Sequence, residues 1–192
     1  MIHNTPKNPS DDLVPLVDRA KRGDEAAFEQ LYQQYFSPIY RYVLIRVGNS
    51  EDADDLSQQV FIKFYRNLSN WQDEGYQPSA YLYSIARSVI ADFYRTKARK
   101  GTAVSNSEEI LSLITDSSQN PHTDVIKTEE VQKLYSDLKK LPDNYQEVLL
   151  LRYMEGLASI EIAQIIGKSD VATRKLLSRA TTALAQIANQ DK

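Results

Sequence analysis

The chain has no cysteine and only two histidines. Without cysteine there is no disulfide framework, no thiol nucleophile, no thiolate-ligated zinc and no direct thiol redox switch. The histidines, His3 and His122, both fall in segments that read as loop, which leaves no basis for a histidine metal site or a catalytic triad. Glycine is scarce, at six residues, and neither a glycine-rich phosphate loop nor a nucleophile motif occurs. No apolar run approaches the roughly 20 residues that cross a bilayer. The polar segment 1–12, with two prolines, lacks the apolar stretch of a signal peptide. These absences predict a cytoplasmic chain without direct membrane insertion, with no cofactor or metal and no catalytic residues of its own.

What is present is ordinary in amount and uneven in placement. The 192 residues, 42% hydrophobic and 26% charged, suffice for one domain or two small ones and exclude a collagen-like, coiled-coil or wholly disordered chain. A net charge of -3 argues against indiscriminate binding to a polyanion. Yet segment 87–100 carries Arg87, Arg95, Lys97, Arg99 and Lys100 against Asp92 alone, while segment 1–60 is mainly acidic. Such a basic island is either a localised nucleic-acid contact or a solvated helix end with cations at its negative dipole terminus.

Apolar residues recur three and four apart along almost the whole chain, and strand-like alternation is absent, so the expected fold class is all-α. A first helix is predicted over about 12–22, with Pro15 tolerated in its first turn and Gly23 ending it. Asp24 then caps a longer stretch with Phe28, Leu31, Tyr32 and Tyr35 on one face. Pro38 should interrupt or kink that stretch before 39–47, and Gly48 closes it. Further helices are predicted over about 51–68 and 79–97. Segment 101–128 turns to Ser, Asn, Asp and Thr with Pro121 and reads as a flexible linker. It joins two small helical domains, 1–100 and 129–192, each with a thin core.

Three constellations stand out. In the 51–68 helix, Ala53, Leu56, Val60, Phe61, Phe64 and Leu68 form an apolar stripe, and Asp52, Asp55, Gln59, Ile62, Lys63 and Arg66 lie opposite. An isoleucine framed by both signs of charge suits a protein-docking surface; a solvated face with ion pairs three and four apart is the alternative. In the 79–97 helix, Leu82, Ile85, Ala86, Val89 and Phe93 point to a core, leaving Ser84, Arg87, Ser88, Ala91, Arg95 and Arg99 outward, with Lys97 in the same basic island. Small residues flanked by arginine let a helix approach a phosphate chain. The neighbouring Trp71, Tyr76, Tyr81 and Tyr83 could stack unpaired bases or simply pack the core. Third, segment 159–180 reads as a helix-turn-helix: Ala163 at the crossing, Gly167 at the turn, and Ser169 or Asp170 as a cap. Its second helix offers Ser169, Thr173, Arg174, Lys175, Ser178 and Arg179 to DNA and Leu176, Leu177, Ala180 and Leu184 to the core.

Together the strings DADDLSQQVFIKFYRNL, SAYLYSIARSVIADFYRTKAR and LPDNYQEVLLLRYMEGLASIEIAQIIG resemble the extracytoplasmic-function (ECF) class of bacterial RNA polymerase sigma factors, in the family's order. The resemblance implies that the first domain, sigma region two, docks on the beta-prime clamp of core RNA polymerase and opens the minus-ten element of promoter DNA. It implies that the second, sigma region four, binds the minus-thirty-five element and the beta flap, and that the chain has an anti-sigma factor as a further partner. Tyr81 stands where the family usually has tryptophan, Ser88 where it has asparagine, and Gln59 where it has glutamate. Leu176, Thr181 and Ala183 occupy positions often held by arginine, and Lys168 and Thr173 sit where apolar residues are usual. A dissociable initiation factor is the leading reading. The alternative is a stand-alone helix-turn-helix regulator, which leaves the mixed-charge face and the aromatic segment unexplained; a helical scaffold or an enzyme is the third.

Overall fold

The computed structural model describes residues 13–71, 78–100 and 124–190, without the side chains of 100 and 124–131. Its helices are α1 (Leu13–Lys21), α2 (Glu25–Val47), α3 (Ser50–Asn67), α4 (Pro78–Lys100), α5 (Asp124–Lys139), α6 (Asp143–Leu149), α7 (Ser159–Ile166) and α8 (Asp170–Gln190). A 3-10 turn at Leu68–Asn70 follows α3, and a π turn at Leu150–Met154 extends α6. No described residue is in a strand.

The helix ends are set by local chemistry. Asp24 accepts the Ala27 N–H at 3.1 Å, and Asn49 accepts the Asp52 N–H at 2.8 Å, so α2 and α3 each begin on a side-chain cap. A hydrogen bond from the Arg19 guanidinium holds the Asp24 carboxyl below the usual carboxylate range, keeping that cap ionised. Gly48 closes α2 at φ 80°, a left-handed backbone that favours glycine, with its N–H on the Leu44 carbonyl at 2.8 Å. Pro78 opens α4, where a missing N–H would have no helical partner in any case.

Two expectations change. Pro38 does not interrupt α2, which runs through it to Val47. Proline removes one N–H from the ladder, but Leu31 on one side and Ile39, Tyr42 and Val43 on the other are buried, and that packing outweighs one lost bond. At the other change, α5 begins at Asp124, inside the segment expected as linker. Polar composition concealed a helix anchored further on by buried Tyr135 and Leu138.

In the first unit, α2, α3 and α4 enclose Leu31, Val43, Ala53, Val60, Phe64, Leu82 and Val89, with α1 closing the side through Leu13 and Val17. In the second, α6, α7 and α8 enclose Val148, Leu151, Ile162 and Ala180. The two units also pack on each other: α7 lies against α4, Lys139 donates to the Ile45 carbonyl at 2.8 Å, and Arg46 donates to the Asp143 carbonyl at 2.9 Å. Burial pushes the Lys139 ammonium below its ordinary pKa, as expected for a cation held at such a seam.

Candidate functional site

The outer face of α3 divides in two. Asp52 pairs with Lys97 at 2.9 Å and Lys63 with Asp92 at 3.4 Å, so both turn toward α4. Asp55, Gln59, Ile62 and Arg66, spaced four, three and four, form an exposed strip. Ile62 is 50% exposed and Tyr65 56% exposed. Beside them a groove of about 550 Å³ runs between α2 and α3, floored by Phe28, Tyr32 and Phe61 and flanked by Glu25 and Arg66. Its walls are held by aromatic contacts, Phe28 edge-on to Tyr65 at 4.8 Å and Tyr32 edge-on to Phe61 at 4.8 Å. Tyr65 and this groove were missed in the sequence. An exposed tyrosine three residues after an exposed isoleucine was the available signal.

On α4 the basic residues separate. Ser88, Ala91, Arg95 and Arg99 are exposed at helical spacing, and Arg95 is paired with Asp92 one turn back. Lys97 is turned to Asp52 and lies over the Phe93 ring at 4.5 Å, away from that strip. Arg87 reaches across to Glu147 of α6 at 2.9 Å. Tyr81 is half-buried, its ring tilted against Phe64 at 6.0 Å, and burial raises its phenol pKa. Trp71 is buried; Lys21 donates to its carbonyl at 2.6 Å and lies over its ring at 5.5 Å. Tyr83 is also buried. Tyr76 lies outside the described residues.

The helix-turn-helix forms as expected, with Gly167 at φ 67° and the Lys168 N–H on the Ala163 carbonyl at 2.9 Å. Ser169 is the cap of α8, accepting the Ala172 N–H at 3.3 Å. Thr173 is fully buried, its hydroxyl donating to the Ser169 carbonyl at 3.0 Å, so a polar residue at this usually apolar position is satisfied internally. Arg174 pairs with Asp170 at 2.6 Å, and Asp170 also accepts from Ser159 at 2.6 Å. Lys175, Ser178 and Arg179 share an exposed strip.

Residues 31–100 match Sigma-70 region 2, and residues 132–184 match Sigma-70, region 4. The chain is 30% identical over 191 residues to the ECF RNA polymerase sigma factor BldN of Streptomyces coelicolor, covering 98% of this chain and 71% of that protein. The chain belongs to the ECF RNA polymerase sigma factors. It is likewise 30% identical to the ECF sigma factor SigW of Bacillus subtilis, over 78% of this chain and 82% of that one. Among solved structures it has the fold of CnrH, recorded in complex with the cytosolic domain of CnrY, at a TM-score of 0.69 and 22% identity over 94% of this chain and 99% of that one. It has the same likeness to the sigma factor RpoE of Bartonella quintana, recorded with the anti-sigma factor NepR, at a TM-score of 0.68 and 18% identity over 86% of this chain and 98% of that one. As a sigma factor it recruits RNA polymerase for transcription initiation. No described helix is long and apolar enough to cross a membrane.

In this sigma factor the seam between the two units carries one buried and one half-buried carboxylate that the sequence did not single out. Glu147 sits in the apolar run of α6, its side chain only 8% exposed, accepting from Arg87 at 2.9 Å and from the Tyr42 hydroxyl at 3.3 Å. Glu155 follows the π turn and accepts a short hydrogen bond from the Tyr83 hydroxyl, while its other oxygen is buried without a partner among the described residues. Burial raises the Glu155 pKa, against the lowering effects of the Tyr83 hydrogen bond and the Arg41 charge. Burial and the Glu155 charge in turn push the Tyr35 phenol up to about 12.

A carboxyl whose folded pKa exceeds its unfolded value of roughly 4.3 binds more protons when folded. Its stabilising contribution is therefore complete below that value and is lost as pH rises toward the folded pKa. Glutamine at this position is neutral throughout and still accepts from Tyr83. Glu155→Gln should melt level with the wild type near pH 4 and pull ahead as pH rises through the folded pKa. Thermal melts of both proteins across that range check the sign.

Proposed function

We propose that this sigma factor docks on the beta-prime clamp of core RNA polymerase through Asp55, Gln59, Ile62 and Arg66 and the aromatic groove beside them. The observation that carries the reading is Ile62, half exposed at the centre of a charged strip, where an interface core places an apolar anchor. Asp52 and Lys63 shape the strip from behind through their pairs with α4. The outer face of α4 then holds the separated nontemplate strand of the minus-ten element, with Arg95 and Arg99 on phosphates, Ser88 between them, and Tyr81 against a base. Arg87 joins them when it leaves Glu147. A first domain ending near 100, a second beginning with α5 near 124, the beta flap contact and a cytoplasmic location belong to the same reading. The chain supplies no chemistry of its own and leaves catalysis to the polymerase. CnrH and RpoE are recorded with CnrY and the anti-sigma factor NepR, which supports an anti-sigma partner here as well.

The test is reconstitution. Purified chain added to core polymerase should yield transcripts that depend on promoter sequence. Duplex binding without polymerase, and no transcripts with it, would favour a stand-alone regulator.

Region four should contribute less than usual to promoter binding. Thr173 is internal, leaving Ser169, Arg174, Lys175, Ser178 and Arg179 to face a minus-thirty-five element, with Arg174 exposed but shared with Asp170. Each missing phosphate contact lowers the salt slope by roughly one unit. Scrambling that element should reduce transcription by less than about tenfold, equivalent to roughly 1.4 kcal/mol, with a shallow salt dependence. A steep dependence and a larger loss would show a full-strength DNA reader.

A further inference from the structure

We propose that Ser159, Asp170 and Arg174 form a preorganised reader of a single guanine in the major groove of the minus-thirty-five element, with Arg174 on the base and the other two as positioning residues. This rests on the reading of region four given under Proposed function and names the base-specific contact within it.

The three side chains close a ring between the two helices of the helix-turn-helix. Arg174 donates through Nη2 to Asp170 Oδ2 at 2.6 Å and through Nε to Ser159 Oγ at 3.3 Å. The Ser159 hydroxyl in turn donates to Asp170 Oδ1 at 2.6 Å. Ser159 opens α7 and Asp170 opens α8, so the ring ties together the first turns of both helices. Nε and Nη2 share one edge of the planar guanidinium, and both are engaged. Nη1 and the second hydrogen of Nη2 form the other edge, a fork whose spacing matches O6 and N7 of guanine. The Arg174 side chain is 69% exposed, and Val171 and Lys175 are exposed beside it on the same face of α8.

Such a ring suits a base better than a phosphate. Asp170 offsets the charge of Arg174, so the pair adds little to the attraction that every DNA backbone exerts. Its carboxylate also repels a phosphate brought to the same place. A free arginine on a helix surface loses rotamer freedom when it meets a base, whereas one held at Nε and Nη2 is already ordered before binding. The recognition helix therefore keeps discrimination at one base pair although it carries few cations, in keeping with the shallow salt dependence expected of region four.

The test uses the full-length chain assembled with core polymerase on a library of duplexes randomised upstream of a common transcribed sequence. Sequencing the templates that are transcribed gives a base preference at each promoter position. The wild type should favour guanine over the other bases by about fivefold at an upstream position where Arg174→Ala shows no preference. Asp170→Asn and Ser159→Ala should each lower that preference to about twofold or less. All three variants should leave the other upstream positions as they were, which also reports that the helix-turn-helix is folded. Adding Asp170→Asn to Arg174→Ala should change the preference no further, because the carboxylate acts through the guanidinium.

An undiminished guanine preference in Asp170→Asn, with binding to every sequence strengthened, would make Asp170 a neutraliser of Arg174 and overturn the ring. Survival of every guanine preference in Arg174→Ala would take the base off Arg174. If Arg174→Ala instead weakens all sequences alike and lowers the salt slope by about one unit, Arg174 lies on a phosphate and the proposal fails. In these three cases a block of preferred upstream bases remains, so the reading of region four stands. A wild-type selection that yields a minus-ten block and no upstream preference overturns the ring together with that reading.

Discussion

Ile62→Asp combined with Arg66→Glu should weaken binding to core RNA polymerase by roughly a hundredfold, about 3 kcal/mol, while region two stays folded. Ile62 is the apolar centre of the strip and Arg66 its cation, and both project from α3 away from the core that Val60, Phe61 and Phe64 fill on the opposite side. An aspartate at 62 puts a charge where a docked partner excludes water, and desolvating it without a counter-ion is the larger part of the effect. Glutamate at 66 reverses the electrostatic steering and mainly slows association. The control is Lys63→Ala, which removes a residue paired with Asp92 and should change affinity by less than about threefold, since a partly exposed ion pair contributes roughly 0–1 kcal/mol. Titration of labelled chain against core polymerase, with circular dichroism of each variant, separates docking from folding. Equal affinities in well-folded double variant and wild type would remove the strip from the interface.

Promoter opening should fail while docking survives when Arg95 and Arg99 are replaced by alanine together with Tyr81→Leu. The arginines are exposed on α4 and take no part in the core. Tyr81 is half-buried against Phe64, so leucine preserves apolar contact while removing the stacking surface. Stacking contributes roughly 1–3 kcal/mol per base, and two lost phosphate contacts lower the salt slope by roughly two units. Together these predict a loss of strand separation of at least about a hundredfold at moderate salt. Permanganate reactivity of promoter thymines in the reconstituted complex reads the opening directly, and polymerase capture by the same variant reads docking. Normal thymine reactivity in the triple variant would take the strand off α4. Polymerase binding lost in parallel would place these residues in the docking surface instead.

Trp71 and Lys97 mark where sequence reasoning reached its limit on this site. An aromatic beside basic residues is equally consistent with a base-capturing ring and a core ring, because periodicity reports the direction of a side chain on its own helix and not what lies there. Trp71 follows a 3-10 turn rather than lying within a helix, and Lys21 of α1 covers it. Lys97 belongs to the basic island by composition, yet its ammonium is engaged by Asp52, 45 positions earlier in the chain. Thr173 is similar: its hydroxyl is as suited to a DNA contact as to the Ser169 carbonyl until α8 is packed.

The sequence by itself determined the all-helical class, the helix-turn-helix, most helix limits and the family, because caps, glycine turns and apolar spacing act within one or two helical turns. Its three matching strings also carried the function, since they hold the residues of both units in order. Only the tertiary structure decided which polar residues remain available. It turned Asp52 and Lys63 inward toward α4, left Asp55, Gln59, Ile62 and Arg66 as a strip, and opened the aromatic groove between α2 and α3. It also brought Glu147 to Arg87 and Glu155 to Tyr83 across the seam. Those pairings join residues 60 and 72 positions apart, and no local pattern encodes them, because exposure is a property of what packs against a surface.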